Sequence, residues 1–241
     1  MGDNVIQGTL PSTMSKMTNL KNFHIAFGEL TGTLPFLGNL KNMSFFSVWN
    51  NRLRGTIPIE MAVMEHIDTI HLGNNLFEGD LPDMFGNMYQ LSRFYAGGNR
   101  LSSTIPSSLQ NRTTLNVLSI GENELFGTIP TFLGGFVRLQ ELKLNDNSFH
   151  GTIPGSFGNL TRLETMDLSY NEITGQIPTT FIRMLELEDI DVSHNRISGD
   201  VNFLCEAKEG DHTNFFPDRK FINFKADCRN LLNCSCCTQC F

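Results

Sequence analysis

The sequence predicts an α/β solenoid, a stack of about eight coils of 24 residues each. Three observations support this: prolines recur with that period, asparagines recur in a fixed phase with the prolines, and apolar residues alternate with polar ones ahead of each asparagine. The prolines are Pro11, Pro35, Pro58, Pro82, Pro106, Pro130, Pro154 and Pro178. One coil cannot bury its own apolar face, so neighbouring coils must stack on it.

The first part of each coil has the pattern of a short, half-buried strand. Two apolar residues are separated by one residue that would point outwards, which is the period of a strand. The apolar pairs are Phe46/Val48, Ile70/Leu72, Phe94/Ala96, Leu118/Ile120, Leu142/Leu144, Met166/Leu168 and Ile190/Val192. Strands that recur once per coil are expected to stack into a parallel sheet.

An asparagine follows each of these strands. Its side-chain amide can point inwards at the bend and satisfy backbone groups that would otherwise be buried and unpaired. The asparagines expected to form this ladder are Asn51, Asn75, Asn99, Asn123, Asn147, Asn171 and Asn195. A second extended piece with the pattern Gly-x-Ile/Leu-Pro follows, and then a 3₁₀ or helical return such as residues 155–162. Two departures, Gly28 for the asparagine and Ser103 for the glycine, are interpreted as tolerated drift.

The stretch LETMDLSYNEITGQIP, from Leu163 to Pro178, shows the full motif. The pattern L-x-x-L-x-L-x-x-N-x-L-x-G-x-I-P resembles the plant-type leucine-rich repeat and covers roughly residues 1–204, which form the first expected domain. The resemblance implies a superhelix with a concave parallel sheet, short second strands and convex 3₁₀ or helical returns. It also implies extracellular ligand binding, as in plant receptor-kinase ectodomains or secreted inhibitors of pectin-degrading enzymes. Because the chain starts in mid-repeat, we expect an N-terminally truncated solenoid.

The outward strand positions form the expected ligand-binding face. One part is rich in aromatic side chains, which are common at binding hot spots, and another part is acidic. The candidate ligand-binding residues are Phe45, Trp49, His71, Arg93, Tyr95, Glu141, Lys143, Asp167, Asp189 and Asp191. On this hypothesis the rings grip a protein, peptide or glycan, and the carboxylates, offset only by Lys143, select a basic group. Alternatively, exposed strands simply favour aromatic residues and the carboxylates solvate the surface. A calcium site among the carboxylates is a further alternative.

A second row of residues lies two positions before the prolines. It consists of Thr9, Thr33, Thr56, Thr104, Thr128 and Thr152, interrupted by Asp80 and Gln176. Threonines stacked about 4.8 Å apart would form a flat, regular array. Such arrays resemble the surfaces of some ice-binding repeat proteins, although threonine also suits any short exposed strand.

Residues 205–241 form the second expected domain, a cysteine-rich cap or tail. All 6 cysteines of the chain lie there: Cys205, Cys228, Cys234, Cys236, Cys237 and Cys240. The ending resembles the tails of leucine-rich repeat proteins of diatoms and related algae. An even number of clustered cysteines predicts up to three disulfides, with 15 possible pairings. A zinc site with His212, or free thiols, are the alternatives.

Four sequons indicate an extracellular or cell-surface protein, as disulfides would. They begin at Asn42, Asn111, Asn159 and Asn233. Asn111 and Asn159 share one phase of the repeat, on the return segment away from the concave face.

Composition and motifs exclude several classes of function. The formal net charge of −7 argues against nucleic-acid or anionic-membrane binding. No apolar run is long enough to span a bilayer. Metalloprotease, nucleophile-elbow, phosphate-loop and kinase motifs are absent, so the sequence predicts neither an enzyme nor a cofactor. Three hypotheses follow: a recognition module, a structural, adhesive or ice-interacting surface protein, and an intracellular scaffold with a metal-bound tail.

Overall fold

The computed structural model of the chain describes residues 6–204, 223–227, 232–233 and 238–240. The chain divides into two compact units, residues 1–126 and 127–241, which we call unit 1 and unit 2. In the described part, helices are short, and none is both long and apolar enough to cross a membrane.

In unit 1, each coil from residue 22 onwards contributes one first strand, and the first strands of neighbouring coils pair in parallel. They span Asn22–His24, Phe45–Ser47, Thr69–His71, Arg93–Tyr95 and Val117–Ser119. Neighbours pair in register, so that Phe46 lies beside Ile70 and Ile70 beside Phe94. These three side chains are fully buried, because alternate residues of each strand point into the core.

Unit 2 repeats this arrangement. Its first strands span Glu141–Lys143, Thr165–Asp167, Asp189–Asp191, Asn223–Ala226 and Gln239–Cys240. The strand of residues 223–226 pairs in parallel with Asp189–Asp191, and its Phe224 and Ala226 are fully buried. The described tail strand of residues 223–226 therefore extends the sheet and its core.

Short second strands follow the bends. They span Gln7–Thr9, Glu29–Thr31, Arg54–Gly55, Leu76–Gly79, Arg100–Leu101, Phe126–Thr128, Ser148–Thr152, Glu172–Gly175, Arg196–Ile197, Gly199–Asp200 and Leu232–Asn233. The bend requires glycine at positions such as Gly55, where φ is 78°. A Cβ there would also lie only 3.0 Å from Cγ2 of Thr33 in the preceding coil.

Most of the described return segments are 3₁₀ turns, which usually begin directly after the recurrent proline; the return after Pro35, residues 36–43, contains only hydrogen-bonded turns. The 3₁₀ turns span Ser12–Lys16, Ile59–Val63, Phe85–Asn87, Ser107–Asn111, Thr131–Gly135, Gly155–Asn159, Thr179–Arg183 and Asn202–Leu204. Proline suits this place because its φ, −68° at Pro58, is already near the helical value and no intrahelical N–H is needed there.

The asparagines close each bend with the same set of hydrogen bonds. The Nδ2 of Asn75 donates to the carbonyl oxygens of Val48, Leu72 and Gly73, at 2.9–3.1 Å. Its Oδ1 accepts from the backbone N–H of Leu53. Each amide thus satisfies buried backbone groups of its own coil and of the preceding one. At the end of the row, the carboxylate of Asp227 accepts from the backbone N–H groups of His194 and Asn195, at 2.8 and 2.9 Å.

The structure gives a packing reason for both departures that the sequence analysis interprets as drift. A Cβ at residue 28 would lie 2.7 Å from Oδ1 of Asn51, so Gly28 makes room for the next asparagine. The hydroxyl of Ser103 accepts a hydrogen bond from the backbone N–H of Leu81 at 3.0 Å. Both residues are therefore fitted to the neighbouring coil.

Candidate ligand-binding surfaces

Four rings of unit 1 contact one another across successive coils, and we call Phe27, Trp49, His71 and Tyr95 the aromatic row. Phe27 meets Trp49 edge to face, Trp49 and His71 stack, and His71 and Tyr95 are tilted by 35°. Ring centroids lie 4.4 Å apart for Phe27 and Trp49, 5.0 Å for Trp49 and His71, and 4.6 Å for His71 and Tyr95. The rings of Phe45 and His24 form a separate stack at 5.7 Å. The structure thus brings together most of the aromatic candidates and extends the group to Phe27, which is 60% exposed.

The rings of Trp49 and His71 stack beside a glycine. Trp49 lies two residues before its ladder asparagine, whereas His71 lies four residues before Asn75, so the two rings meet on a diagonal. The intervening position of the next coil is Gly73, and a Cβ there would lie 3.4 Å from Nε2 of His71. This is an ordinary van der Waals distance, and such a Cβ would come closer, 3.2 Å, to the carbonyl oxygen of Gly97.

The sequence analysis misses a further row of outward side chains. The residue directly before each ladder position has a positive φ, 54° at Phe27, 53° at Tyr170 and 54° at His194. Such a φ is uncommon for bulky residues and turns the side chain outwards at the bend. In unit 2, Tyr170 and His194 stack with centroids 4.0 Å apart. The signal was available in the sequence as aromatic residues immediately before the asparagine phase.

His71 is uncharged over the physiological range of pH. Burial lowers its pKa from 6.5 to about 4, and the nearby His24 acts in the same direction. The aromatic row therefore presents a neutral surface at mildly acidic and neutral pH.

Arg93 is tied down by a residue that the sequence analysis does not consider. Its Nη2 lies 2.7 Å from Oδ2 of Asp68, and its Nε donates to Oγ1 of Thr69 at 2.9 Å. The Thr69 hydroxyl donates to the same Asp68 oxygen at 2.6 Å. The guanidinium is still 45% exposed at the side-chain level, so it can contact a ligand while part of its charge is compensated.

The acidic patch of unit 2 consists of Glu141, Asp167, Asp189 and Asp191. Oδ1 of Asp167 accepts from the hydroxyl and the backbone N–H of Ser169, at 2.6 and 3.0 Å. Oδ1 of Asp191 does the same with Ser193. Burial raises the pKa of Asp167, as does the Asp191 carboxylate, while Ser169 and Lys143 oppose the rise.

Two lysines neutralise part of this patch, which corrects the expectation that only Lys143 offsets it. Lys143 lies 2.8 Å from Glu141, and Lys225, on the tail strand, lies 3.4 Å from Asp191. A cavity of about 150 Å³ lies between the two lysines and the three aspartates. No group of three or more His, Cys, Asp or Glu side chains in the described residues is placed to hold a metal ion, so calcium gains no support.

The six threonines of the second row are all exposed. Five of them, all except Thr104, direct Cγ2 towards the glycine of the following coil, as Thr33 does towards Gly55 and Thr152 towards Gly175. These five methyl groups therefore share one orientation relative to the next coil. Asp80 interrupts the row in unit 1 and Gln176 interrupts it in unit 2.

The sequons and cysteines are only partly within the described residues. Asn42 and Asn159 are exposed, and Asn42 donates a hydrogen bond to the carbonyl of Thr18. Asn111 ends a return turn and Asn233 lies in a strand, but their side chains are outside the described part. The side chain of Cys240 is also outside the described part. Six further residues are wholly outside the described part: Cys205, Cys228, Cys234, Cys236, Cys237 and His212.

Comparison with known proteins supports the repeat. Residues 137–197 match the model of the leucine-rich repeat family. A search of curated proteins gives no match.

Among solved structures, the chain is similar to the plant peptide hormone receptor RGFR1 in complex with RGF2, with 30% identity and a TM-score of 0.80 over 84% of this chain. It is also similar to the Arabidopsis receptor kinase HAESA in complex with the peptide hormone IDA and the co-receptor SERK1, with 29% identity and a TM-score of 0.79 over 83% of this chain. The chain spans 33% of the length of each of these two.

A plant ice-binding protein is similar at 22% identity, with a TM-score of 0.75, over 98% of this chain and 72% of that one, a likeness that shows the fold alone. The chain therefore has the leucine-rich repeat solenoid fold, and its likeness to the receptor ectodomains supports a plant-type leucine-rich repeat protein.

Proposed function

We propose that the protein is a non-catalytic, extracellular recognition module that binds an extended peptide, or a peptide segment of a protein, along the first strands of unit 1. The observation that carries this proposal is the aromatic row. The receptors RGFR1 and HAESA, which share the fold, are described as bound to peptide ligands, and this likeness supports the same class of ligand here.

The row suits binding because its rings are ordered before a ligand arrives. Each ring is held by its neighbours at 4.4–5.0 Å, so little side-chain entropy would be lost on binding. Large aromatic side chains also contribute most of the binding energy in many interfaces. Gly73, Gly97 and Gly121 carry no side chains beside the rings, which lets a ligand backbone approach the strands closely.

The acidic patch of unit 2 is a separate candidate contact surface. Glu141 and Asp191 already face lysines, whereas Asp167 has no ion-pair partner among the described residues. We expect Asp167, lining the cavity of about 150 Å³, to accept a basic group of a ligand that binds to unit 2. The raised pKa of Asp167 favours such a partner, because a cation would relieve the cost of its buried charge.

Selection from a random peptide library displayed on phage would test the proposal, with the secreted protein as bait. Peptides that bind the aromatic row should lose at least about tenfold in affinity with Trp49→Ala or Tyr95→Ala, the loss expected when a hot-spot ring is removed. Phe36→Ala is the matched control, because Phe36 is 55% exposed and lies on a return segment. Selected peptides that bind Trp49→Ala and Tyr95→Ala as tightly as the unmodified protein would contradict the proposal, as would selective binding of glycans at the row.

A second candidate function is interaction with ice, which the exposed and commonly oriented threonine row favours. Thermal hysteresis of the purified protein would be the measurement. Thr128→Tyr should abolish the effect by placing a ring in the row, whereas Thr18→Tyr, at an exposed position that follows a return turn and belongs to no sequon, should not. Absence of hysteresis in the unmodified protein removes this candidate.

The proposed location and the tail chemistry can be tested together. We propose disulfides among the six cysteines and glycans at the sequons, with Asn159 and Asn42 exposed for modification. Protein secreted from a eukaryotic host should take up alkylating label only after reduction and should carry glycan mass. Six freely labelled cysteines, or bound zinc, would favour the alternative of an intracellular scaffold with a metal-bound tail.

A further inference from the structure

An open groove of about 500 Å³ lies in unit 1, among residues that follow the second strands. One wall is formed by residues 80–83 and the other by residues 103–107, and Phe126 stands at one end. None of these residues belongs to the first strands, so the groove is a different surface from the aromatic row.

The groove coincides with two breaks in the repeat. Asp80 stands where most coils have threonine, and Ser103 stands where they have glycine. Ser103 fastens the two walls together, because its hydroxyl accepts from the N–H of Leu81. Asp83 adds a second link, since its Oδ1 accepts from the N–H of Ser108 at 2.8 Å. These hydrogen bonds fix the distance between the two walls of the groove.

Its lining combines an apolar floor with carboxylates at the rim. Leu81 and Ile105 are 3% and 5% exposed, and they lie beside Pro82 and Pro106. Phe126 is 47% exposed. Asp80 and Asp83 are exposed, and neither forms an ion pair with any described residue.

This pattern is complementary to an arginine side chain. Arginine has an apolar stem that covers hydrophobic surface and a planar cationic head that stays at the polar rim. The head can pair with a carboxylate and can also lie against the face of a phenylalanine ring. Lysine could satisfy the carboxylates but would make weaker use of the ring.

We propose that the groove is a docking site for an arginine-containing segment of a protein partner. The guanidinium lies between Asp80 and Asp83, and the stem of the side chain packs on Pro82, Pro106 and Phe126. The site is independent of the peptide-binding surface proposed above, and either can fail without the other.

Isothermal titration with a tri-arginine peptide, at low and physiological salt, would test the proposal. Asp80→Asn combined with Asp83→Asn should weaken binding about tenfold. Asparagine is chosen because its amide oxygen at position 83 can still accept the hydrogen bond from the backbone N–H of Ser108. Glu60→Gln combined with Glu65→Gln is the matched control, because it removes the same two charges from exposed positions of a return segment. Phe126→Ala should weaken the tri-arginine peptide more than a tri-lysine peptide.

Three outcomes would overturn the proposal. Equal loss of affinity in the Glu60/Glu65 control would show general attraction to an acidic protein. Equal affinity for tri-arginine in the Asp80/Asp83 variant and the unmodified protein would place the binding elsewhere. Binding of neutral oligosaccharides that depends on Asp80 and Phe126, with no preference for tri-arginine, would make the groove a carbohydrate site.

Discussion

Replacing Arg112 with methionine should make the protein more stable. Arg112 directly follows the return turn Ser107–Asn111, at a position where six other coils place a fully buried apolar residue. Those residues are Leu40, Met64, Met88, Phe136, Leu160 and Met184. Arg112 is itself only 5% exposed, and its Nε and Nη1 have no hydrogen-bond partner among the described residues. The guanidinium carbon lies 4.8 Å from the centre of the Tyr89 ring. This cation–π contact compensates part of the cost of burying the charge.

The size of the effect follows from these contacts. Replacement of a buried charged group by an apolar one of similar volume stabilises proteins by about 1–4 kcal/mol. Loss of the contact with Tyr89 should cost about 1 kcal/mol. We therefore expect Arg112→Met to raise the free energy of unfolding by about 2 kcal/mol, which corresponds to about 4–8 °C in Tm for a chain of this size.

Urea unfolding followed by circular dichroism would measure the change. Arg162→Met is the matched control, since Arg162 is exposed on a return segment and should shift stability by less than about 0.5 kcal/mol. Tyr89→Ala should destabilise the unmodified protein but have a smaller effect in the Arg112→Met background, as a double-mutant cycle would show. A lower stability of Arg112→Met, or equal effects of Tyr89→Ala in both backgrounds, would refute the reasoning.

Three further predictions concern the asparagine row, its end and pH. Asn75→Ala should lower the free energy of unfolding by about 3 kcal/mol or more in urea titrations, because it leaves four buried backbone groups without the amide, whereas exposed Asn87→Ala should have little effect. Asp227→Ala should speed amide hydrogen exchange at His194 and Asn195, because the Asp227 carboxylate accepts hydrogen bonds from both N–H groups. Unchanged protection would show that Asp227 does not protect these two amides. Because the pKa of His71 is lowered from 6.5 to about 4 on folding, the unfolded chain binds more protons in this window, and stability should fall as pH falls from 6.5 towards 4. His71→Phe should lessen this dependence, and an identical pH profile for both proteins would count against it.

Much of the fold could be predicted from the period. The alternating apolar pairs are buried where the strand pattern places them, as with Phe46, Ile70 and Phe94. Such predictions are secure because residues 24 positions apart in sequence become neighbours in adjacent coils. The same strand register is therefore predicted independently from each coil. The tail strand of residues 223–226 escaped prediction because it continues the sheet without the repeat motif.

The sequence alone determined which residues share a row, which face outwards and which asparagines meet the backbone at the bends. Only the tertiary structure decided how neighbouring side chains use that placement. It showed that Phe27 joins Trp49, that Asp68 holds Arg93, and that Lys225 faces Asp191. The physical reason is that the period sets backbone positions, whereas ring stacking and ion pairing depend on side-chain rotamers and on the space that glycines such as Gly73 leave beside them.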